Sequence, residues 1–354
     1  MILSASAPES IAACAAAIRA GGLIGLPTET VYGLGADAGS DAAVAQIFAA
    51  KGRPADHPLI VHVSSQDGGM AGVAHFAAQV PSFAQQLLSA FWPGPLTLIL
   101  PRREGVGTAA AGGQNSIGLR CPAHPAAQAV LRALHDAPEG QAPVWGLAAP
   151  SANRFGRVSP TTAAHVESEL GTDLLILDGG PCDLGIESTI IDCTRGAPVL
   201  LRPGSISRAQ VEQACGRKLL SKEELAAQAG SGLNGLNGLV APRASGTLES
   251  HYAPNAKVRL MDAKALRTAL DLLEGAIDQA TNDSIAVYAR TPLKKVPRQI
   301  LLRTMPQAAA VTAHELFSVL RELDATGVKL IWVETPPDTL EWEGVRDRLQ
   351  RASA

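Results

Sequence analysis

Pro27-Thr28-Glu29-Thr30-Val31-Tyr32-Gly33-Leu34-Gly35 follows directly on the apolar run Leu23 to Leu26. A short apolar run bounded by turn residues reads as a buried strand, and the stretch after it as a turn leaving that strand's end. Ligands of open α/β architectures bind at such strand ends. The turn mixes hydroxyls, a carboxylate and glycines, and a core needs little of that. A basic cluster, Lys51-Gly52-Arg53-Pro54, comes soon after it. Together they suggest a pocket for a small polar molecule beside an anion.

Working outward, the chain alternates helical and strand patterns. Pro8 to Ala20 reads as a helix with Ser6 as its cap and Gly21-Gly22 ending it. Asp41 to Ala50 reads as a helix with Val44, Ile47 and Phe48 on one face. Further helices are expected over Pro81–Phe91, Pro125–His135, Thr161–Glu169 and Arg208–Cys215, with Ser159 as a helix-start cap. Strands are expected over Leu59–Val63, Leu96–Leu100, Ser116–Arg120, Val144–Ala148, Leu174–Leu177, Thr189–Asp192 and Val199–Leu201. So many strands imply a large sheet covered by helices, spaced too irregularly for a plain doubly wound repeat.

From Gly230 to Gly246 glycine and asparagine dominate without an apolar face, which reads as a linker. A second alternation follows: strands at Val258–Met261, Ser284–Tyr288, Gln299–Leu302 and Val328–Glu334, helices at Ala263–Ile277, Met305–Leu323 and Trp342–Arg351. This reads as a small Rossmann-like α/β domain with parallel strands. It lacks Gly-x-Gly-x-x-Gly after its first strand, so it offers no dinucleotide fingerprint. The expected division is residues 1–205, a linker or lid over 206–250, and 251–354.

Composition narrows the function classes. With 354 residues, 46% hydrophobic and 18% charged, the chain fits a soluble protein of two domains. A net charge of −3 gives no reason to expect broad nucleic-acid binding. The five cysteines form no Cys-x-x-Cys pair, which argues against a zinc ribbon or a redox motif and fits a reducing cytoplasm. Glu9 and the lack of a basic leading region argue against a signal peptide, and no apolar run is long enough to span a bilayer.

Polar residues recur at strand ends, and a shared pocket explains that better than separate surface decoration does. Lys51 and Arg53 suit a polyphosphate, although an isolated Lys-Gly-Arg is more often a solvated turn. His57 follows closely. His62, set in an apolar strand, reads by itself as a satisfied core histidine. Arg120 ends a strand, where it can hold a carboxylate by its planar fork or make an ordinary ion pair. Ser151 and Asn153 can meet a ligand or cap a helix, and Ser159 could serve an anion at a helix start. Glu187-Ser188-Thr189 and Arg202-Pro203-Gly204 flank two more strands. The residues alone stop at a pocket for a phosphate-bearing ligand and a small zwitterion or acid.

In order along the chain, Pro27–Gly35, Lys51–Val63, Phe91–Thr97, Ser116–Pro125, Ala149–Asn153, Ser159–Thr161, Asp178–Gly180, Glu187–Ile191, Leu200–Gly204 and His251–Pro254 resemble the threonylcarbamoyl-AMP synthases of the YrdC-like fold, in their long two-domain form. The resemblance implies a large twisted mixed sheet covered by helices, α/β (α+β) in class, followed by the smaller domain. It implies synthesis of threonylcarbamoyl-AMP and pyrophosphate from L-threonine, bicarbonate and ATP, for threonylcarbamoyladenosine modification of tRNA beside the anticodon. Carried over by motif, Thr30, His62, Arg120, Ala149 and Ser188 bind L-threonine. Arg53, His57, Ser116, Ser151, Asn153, Ser159, Arg202 and Tyr252 bind ATP, with Lys51 and Arg53 the catalytic cations. Magnesium is expected through the ATP phosphates, with no protein ligand. Because Tyr252 follows the linker, the linker is expected to fold back as a lid. The product is expected to pass to a tRNA threonylcarbamoyl-transfer complex, with direct tRNA contact left open and no membrane involved. Two competitors are weaker. An RNA-binding module lacks its basic aromatic stripe here, and the carbamoyl-transfer enzyme of hydrogenase maturation carries an acylphosphatase module and cysteine zinc motifs absent from this chain.

Overall fold

Ten strands of the first part of the chain join one mixed sheet. They are β1 (Ile2–Ser4), β2 (Ile24–Leu26), β3 (Gly33–Asp37), β4 (Ile60–His62), β5 (Leu96–Pro101), β6 (Ser116–Arg120), β7 (Leu147–Ala148), β8 (Leu175–Asp178), β9 (Thr189–Asp192) and β10 (Val199–Arg202). Their spatial order is β1-β8-β2-β3-β7-β4-β6-β5-β9-β10. The computed structural model describes residues 1–230, 241–276, 285–293 and 300–354. Two compact units result: Met1–Phe155 with Pro160–Thr247, and Gly156–Ser159 with Leu248–Ala354.

Near-continuous apolar strands such as Leu96–Pro101 fit burial on both faces of a sheet. On one face Cys14 and Ile18 from helix Pro8–Arg19, and Val130 and Leu134 from helix Pro125–His135, pack on Ile24, Leu26, Leu147 and Leu177. A larger cluster gathers Val44, Ile47, Phe76, Leu87 and Leu88 against Leu34, Val61, Leu98 and Leu119. Each fully buried Leu, Ile or Phe side chain contributes roughly 1.5–3 kcal/mol. The five cysteines are free and buried.

Local chemistry corrects several sequence expectations. The cap of the first helix is Ala7, not Ser6, with Pro8 at the first helical position, where its missing N–H costs nothing. Ser6 bonds Ser4 instead, at 2.8 Å. Ser159 caps no helix; Thr162 does, its hydroxyl accepting from the His165 amide, and the helix runs Ala163–Leu170. The turn after β2 is shorter than expected, because Gly33–Gly35 already belong to β3, antiparallel to β2. Strand Ile2–Ser4 and helix Met70–Phe76 are elements that apolar spacing alone does not predict. Within the expected linker, Arg208–Cys215 is the helix expected there, and Lys222–Gly230 is a second helix that the sequence reading lacks. Most of its Gly-Leu-Asn stretch, 231–240, lies outside the described residues.

The second unit carries strands β11 (Lys257–Met261), β12 (Ile285–Ala289), β13 (Leu301–Thr304) and β14 (Leu330–Glu334) in the order β11-β14-β12-β13. All its pairings are parallel. Helices Ala263–Ala276, Ala309–Ala325 and Glu343–Ala352 accompany the sheet. Helix Ala309–Ala325 starts four residues later than expected, beyond Pro306. Ser284 and Gln299, read as strand starts, and Ile277, read as a helix end, lie outside the described residues.

Gly204 shows why the polar strand ends are built around small residues. A Cβ there would lie 2.5 Å from the Thr189 amide nitrogen and 2.9 Å from the Glu187 carbonyl oxygen. Backbone cannot give way as a flexible side chain can. Gly204→Ala is therefore expected to lower unfolding stability by about 1–3 kcal/mol, read from the denaturant midpoint.

Candidate active site

The stretch after β2 is held by its own hydroxyls. Thr28 Oγ1 accepts from the Thr30 and Val31 amides at 3.2 Å each and donates to the Val31 carbonyl at 2.6 Å. That local loop fixes where Glu29 and Thr30 point. Outside contacts hold it too: the Leu184 amide donates to the Glu29 carbonyl at 2.8 Å, and the Ala123 amide to Glu29 Oε2 at 3.1 Å.

Arg120 ends β6 and is 4% exposed. Its Nη1 donates to Thr30 Oγ1 at 2.8 Å and its Nε to the Gly94 carbonyl at 3.3 Å. Its Nη2 lies 2.7 Å from Glu29 Oε1, an ion pair whose N–H bonds do not aim along the contact. His62 on β4 is the register partner of Arg120, so the two side chains share a face of the sheet. Burial and the neighbouring Arg120 hold His62 well below the usual imidazole range, so it is neutral. Its Nδ1 has no hydrogen-bond partner among the described residues.

Thr97 of β5 pairs with Arg120 from the other side, and its hydroxyl shares a 2.7 Å hydrogen bond with Ser188 Oγ. Arg202, ending β10, donates from Nε and Nη2 to the Ser188 carbonyl at 3.1 and 3.0 Å. Ala149 follows β7, and its amide donates to the Ile60 carbonyl at 2.9 Å. The five residues expected at L-threonine thus lie at adjoining strand ends of one sheet.

A second group gathers around Lys51. Its ammonium is buried, donating to the carbonyls of Ser151, at 2.6 Å, and Asn153. Burial first, then Arg53, pushes its pKa well below the usual lysine value. Ser151 is held by a bridge to Gly33, which ties this group to the stretch after β2. Gly52 takes a left-handed φ of 62° that closes the helix and turns the chain toward Arg53. Arg53 Nη2 donates to the Pro58 carbonyl at 2.9 Å and to Ser245 Oγ at 3.4 Å. Arg53 and His57 both pack on the Phe155 ring, at 5.7 and 5.5 Å. Ser116 lines a small pocket with Leu59, Gln114, Gly118 and Ser245.

Ser159 and Tyr252 belong to the second unit. There Ser159 is buried and its carbonyl accepts from Arg321 Nε at 3.4 Å. Tyr252 has a left-handed φ of 64°, packs on Phe317 with ring centres 5.4 Å apart, and lies under the Arg348 guanidinium.

A family model described as Telomere recombination matches residues 16–204, and one described as Threonylcarbamoyl-AMP synthase, C-terminal domain, matches 206–354. The threonylcarbamoyl-AMP synthase of Bacillus subtilis is 35% identical over 99% of this chain and 94% of its own length. That of Pyrococcus abyssi is 35% identical over 95% of this chain and 92% of its own. The chain belongs to the threonylcarbamoyl-AMP synthase family. A crystal structure of P. abyssi Sua5 complexed with L-threonine superposes with a TM-score of 0.82 at 32% identity, covering 100% of this chain and 97% of that one. The fold class read from the sequence is that of this family member: a large mixed sheet with a smaller parallel-sheet unit.

Two residues of the pocket escaped sequence reasoning. Thr97 sits in the Phe91–Thr97 motif but reads there as one more residue of an apolar strand. Glu29 stands in the opening motif with nothing to show that its carboxylate turns inward onto Arg120. Lys51, read as a phosphate cation, holds the backbone of Ser151 and Asn153. Lys51→Met keeps the length of the side chain but strands two buried carbonyls. It is expected to lower unfolding stability by roughly 1–3 kcal/mol, measured by denaturant titration.

Proposed function

We propose that this chain joins L-threonine, bicarbonate and ATP into threonylcarbamoyl-AMP and pyrophosphate, acting as a nucleotidyltransferase. The observation that carries this reading is a buried arginine, threonine and neutral histidine converging at strand ends of one sheet, with a lysine and an arginine at a neighbouring helix end and a further arginine ending β10. The P. abyssi relative solved with L-threonine supports it.

Threonine's carboxylate would engage Arg120 and Thr30, with His62, Ala149 and Ser188 around the rest of the molecule. Arg53, His57, Ser116, Ser151, Asn153 and Arg202 would receive ATP. Threonine's nitrogen attacks the bicarbonate carbon, and loss of water leaves a carbamate. A carbamate oxygen then attacks the α-phosphorus as its bond to pyrophosphate breaks. No covalent bond to the protein is required, so positioning and charge stabilisation supply the catalysis. Arg53 and Lys51 would lower the cost of charge developing at the α-phosphate, Lys51 by fixing the Ser151–Asn153 backbone.

Magnesium, held through the ATP phosphates, would neutralise part of their charge. The residues assigned to ATP bring cations and hydroxyls rather than carboxylates. That chemistry suits an ion held by phosphate oxygens and water. The last part of the expected linker bears on the same site within the first unit. The Ser245 carbonyl accepts from Arg202 Nη1 at 3.0 Å, and Arg243 pairs with Asp56 at 2.5 Å. ATP would displace Ser245 from Arg53 and Arg202, so the segment acts as a lid.

The product would serve threonylcarbamoyladenosine modification of tRNA through a threonylcarbamoyl-transfer complex, in the cytoplasm. No described helix is long and apolar enough to cross a membrane. Pyrophosphate release is the direct test. It is expected only when ATP, L-threonine and bicarbonate are all present, and release that needs neither co-substrate would overturn the reading. Arg120→Ala is expected to raise the threonine KM by at least about thirtyfold with the ATP KM little changed, since a buried charge contact is lost.

A further inference from the structure

Three buried side-chain atoms in the threonine half of the site have no aligned hydrogen-bond partner among the described residues: Arg120 Nη2, Glu29 Oε1 and His62 Nδ1. A folded chain rarely leaves buried polar atoms unmatched, and those that remain call for an external partner. The Glu29 side chain is 8% exposed, and its other oxygen is already taken by the Ala123 amide. Its free oxygen touches the guanidinium at 2.7 Å without lying on an N–H axis. Arg120 and Glu29 therefore neutralise each other while each keeps a bonding direction in reserve.

The charge balance of this half follows. Arg120 brings one positive charge, Glu29 one negative, and His62 is neutral. Burial pushes the Cys121 thiol, beside them, up to about 12, so it too is uncharged. A ligand that is only an anion would leave a buried site with net negative charge, which is costly where water is excluded. A zwitterion leaves it neutral. The α-carboxylate and α-ammonium of an amino acid are attached to one carbon. A carboxylate docked on Arg120 therefore carries its ammonium toward a carboxylate that already abuts the guanidinium.

We propose that Glu29 is a specificity-determining residue of the threonine site: its unmatched Oε1 accepts the α-ammonium and restricts the pocket to zwitterionic amino acids. The inference rests on the synthase reading above, and names the group that discriminates within it. Thr28 supports the role by fixing the Glu29 backbone through the loop of hydrogen bonds already described.

Calorimetry with two ligands separates this role from a merely structural one. The ligands are L-threonine and (R)-β-hydroxybutyrate, which is threonine without its amino group. The wild-type protein is expected to prefer threonine by at least about thirtyfold, the effect of a buried charged contact. In Glu29→Gln, which keeps the shape, threonine binding is expected to fall by a similar factor while the hydroxy acid binds as well or better. Equal weakening of both ligands would assign Glu29 to holding Arg120 and overturn the proposal. A wild-type ratio near one would overturn it without any variant, and covers the case in which Glu29→Gln fails to fold. If wild-type protein binds no L-threonine at all, the synthase reading fails and the proposal with it.

Discussion

A buried guanidinium organises the catalytic half of this protein. Removing a charge from water costs several kcal/mol unless good partners replace the solvent. Arg120 finds them in Glu29, Thr30 and the Gly94 carbonyl, drawn from the stretch after β2 and the loop before β5. Satisfying one side chain therefore fixes the relative positions of three chain segments. His62 and Thr97 are placed by the same strand, as its register partners on either side. The pocket's shape is a consequence of where that arginine can be buried.

The other cations are satisfied in a different way, and the difference divides the site. Lys51 donates to the carbonyls of Ser151 and Asn153, Arg53 to that of Pro58, and Arg202 to those of Ser188 and Ser245. A carbonyl satisfies a donor without cancelling its charge, whereas the Glu29 carboxylate cancels that of Arg120. The half around Lys51, Arg53 and Arg202 gathers the basic side chains that the proposed polyphosphate would need. The other is balanced and suits a zwitterion. The Arg120 half is built at strand ends of one sheet, and the Gly33–Ser151 bridge ties the Lys51 group to it, so the backbone would bring the two proposed ligands together.

Much of this architecture could be read from the chain. Helices Pro125–His135 and Arg208–Cys215 and strands Ser116–Arg120 and Thr189–Asp192 fall where apolar spacing and turn residues place them. The misses have definite causes. Ile2–Ser4 is three residues long and becomes a strand only by pairing with Leu175–Asp178, which follows some 170 residues later. Gly33–Asp37 begins inside a glycine-containing motif that locally resembles a turn, and the β2 pairing overrides that preference. Ser6 and Ser159 are good capping types beside expected helix starts. The chain used Pro8 at one start and Thr162 at the other, a choice fixed by where the backbone enters each helix.

The sequence by itself determined the family, the run of polar strand ends and the residue types available at each, because these are local properties carried by motifs in fixed order. Only the tertiary structure decided which of those residues face one another. Sequence spacing does not reveal that Glu29 turns inward to neutralise Arg120, ninety-one positions away, or that Lys51 spends its charge on two backbone carbonyls a hundred residues on. Nor does it show Thr97 reaching across to Ser188. Sheet register sets these pairings, and register is fixed by long-range burial of whole strands, which no single motif contains.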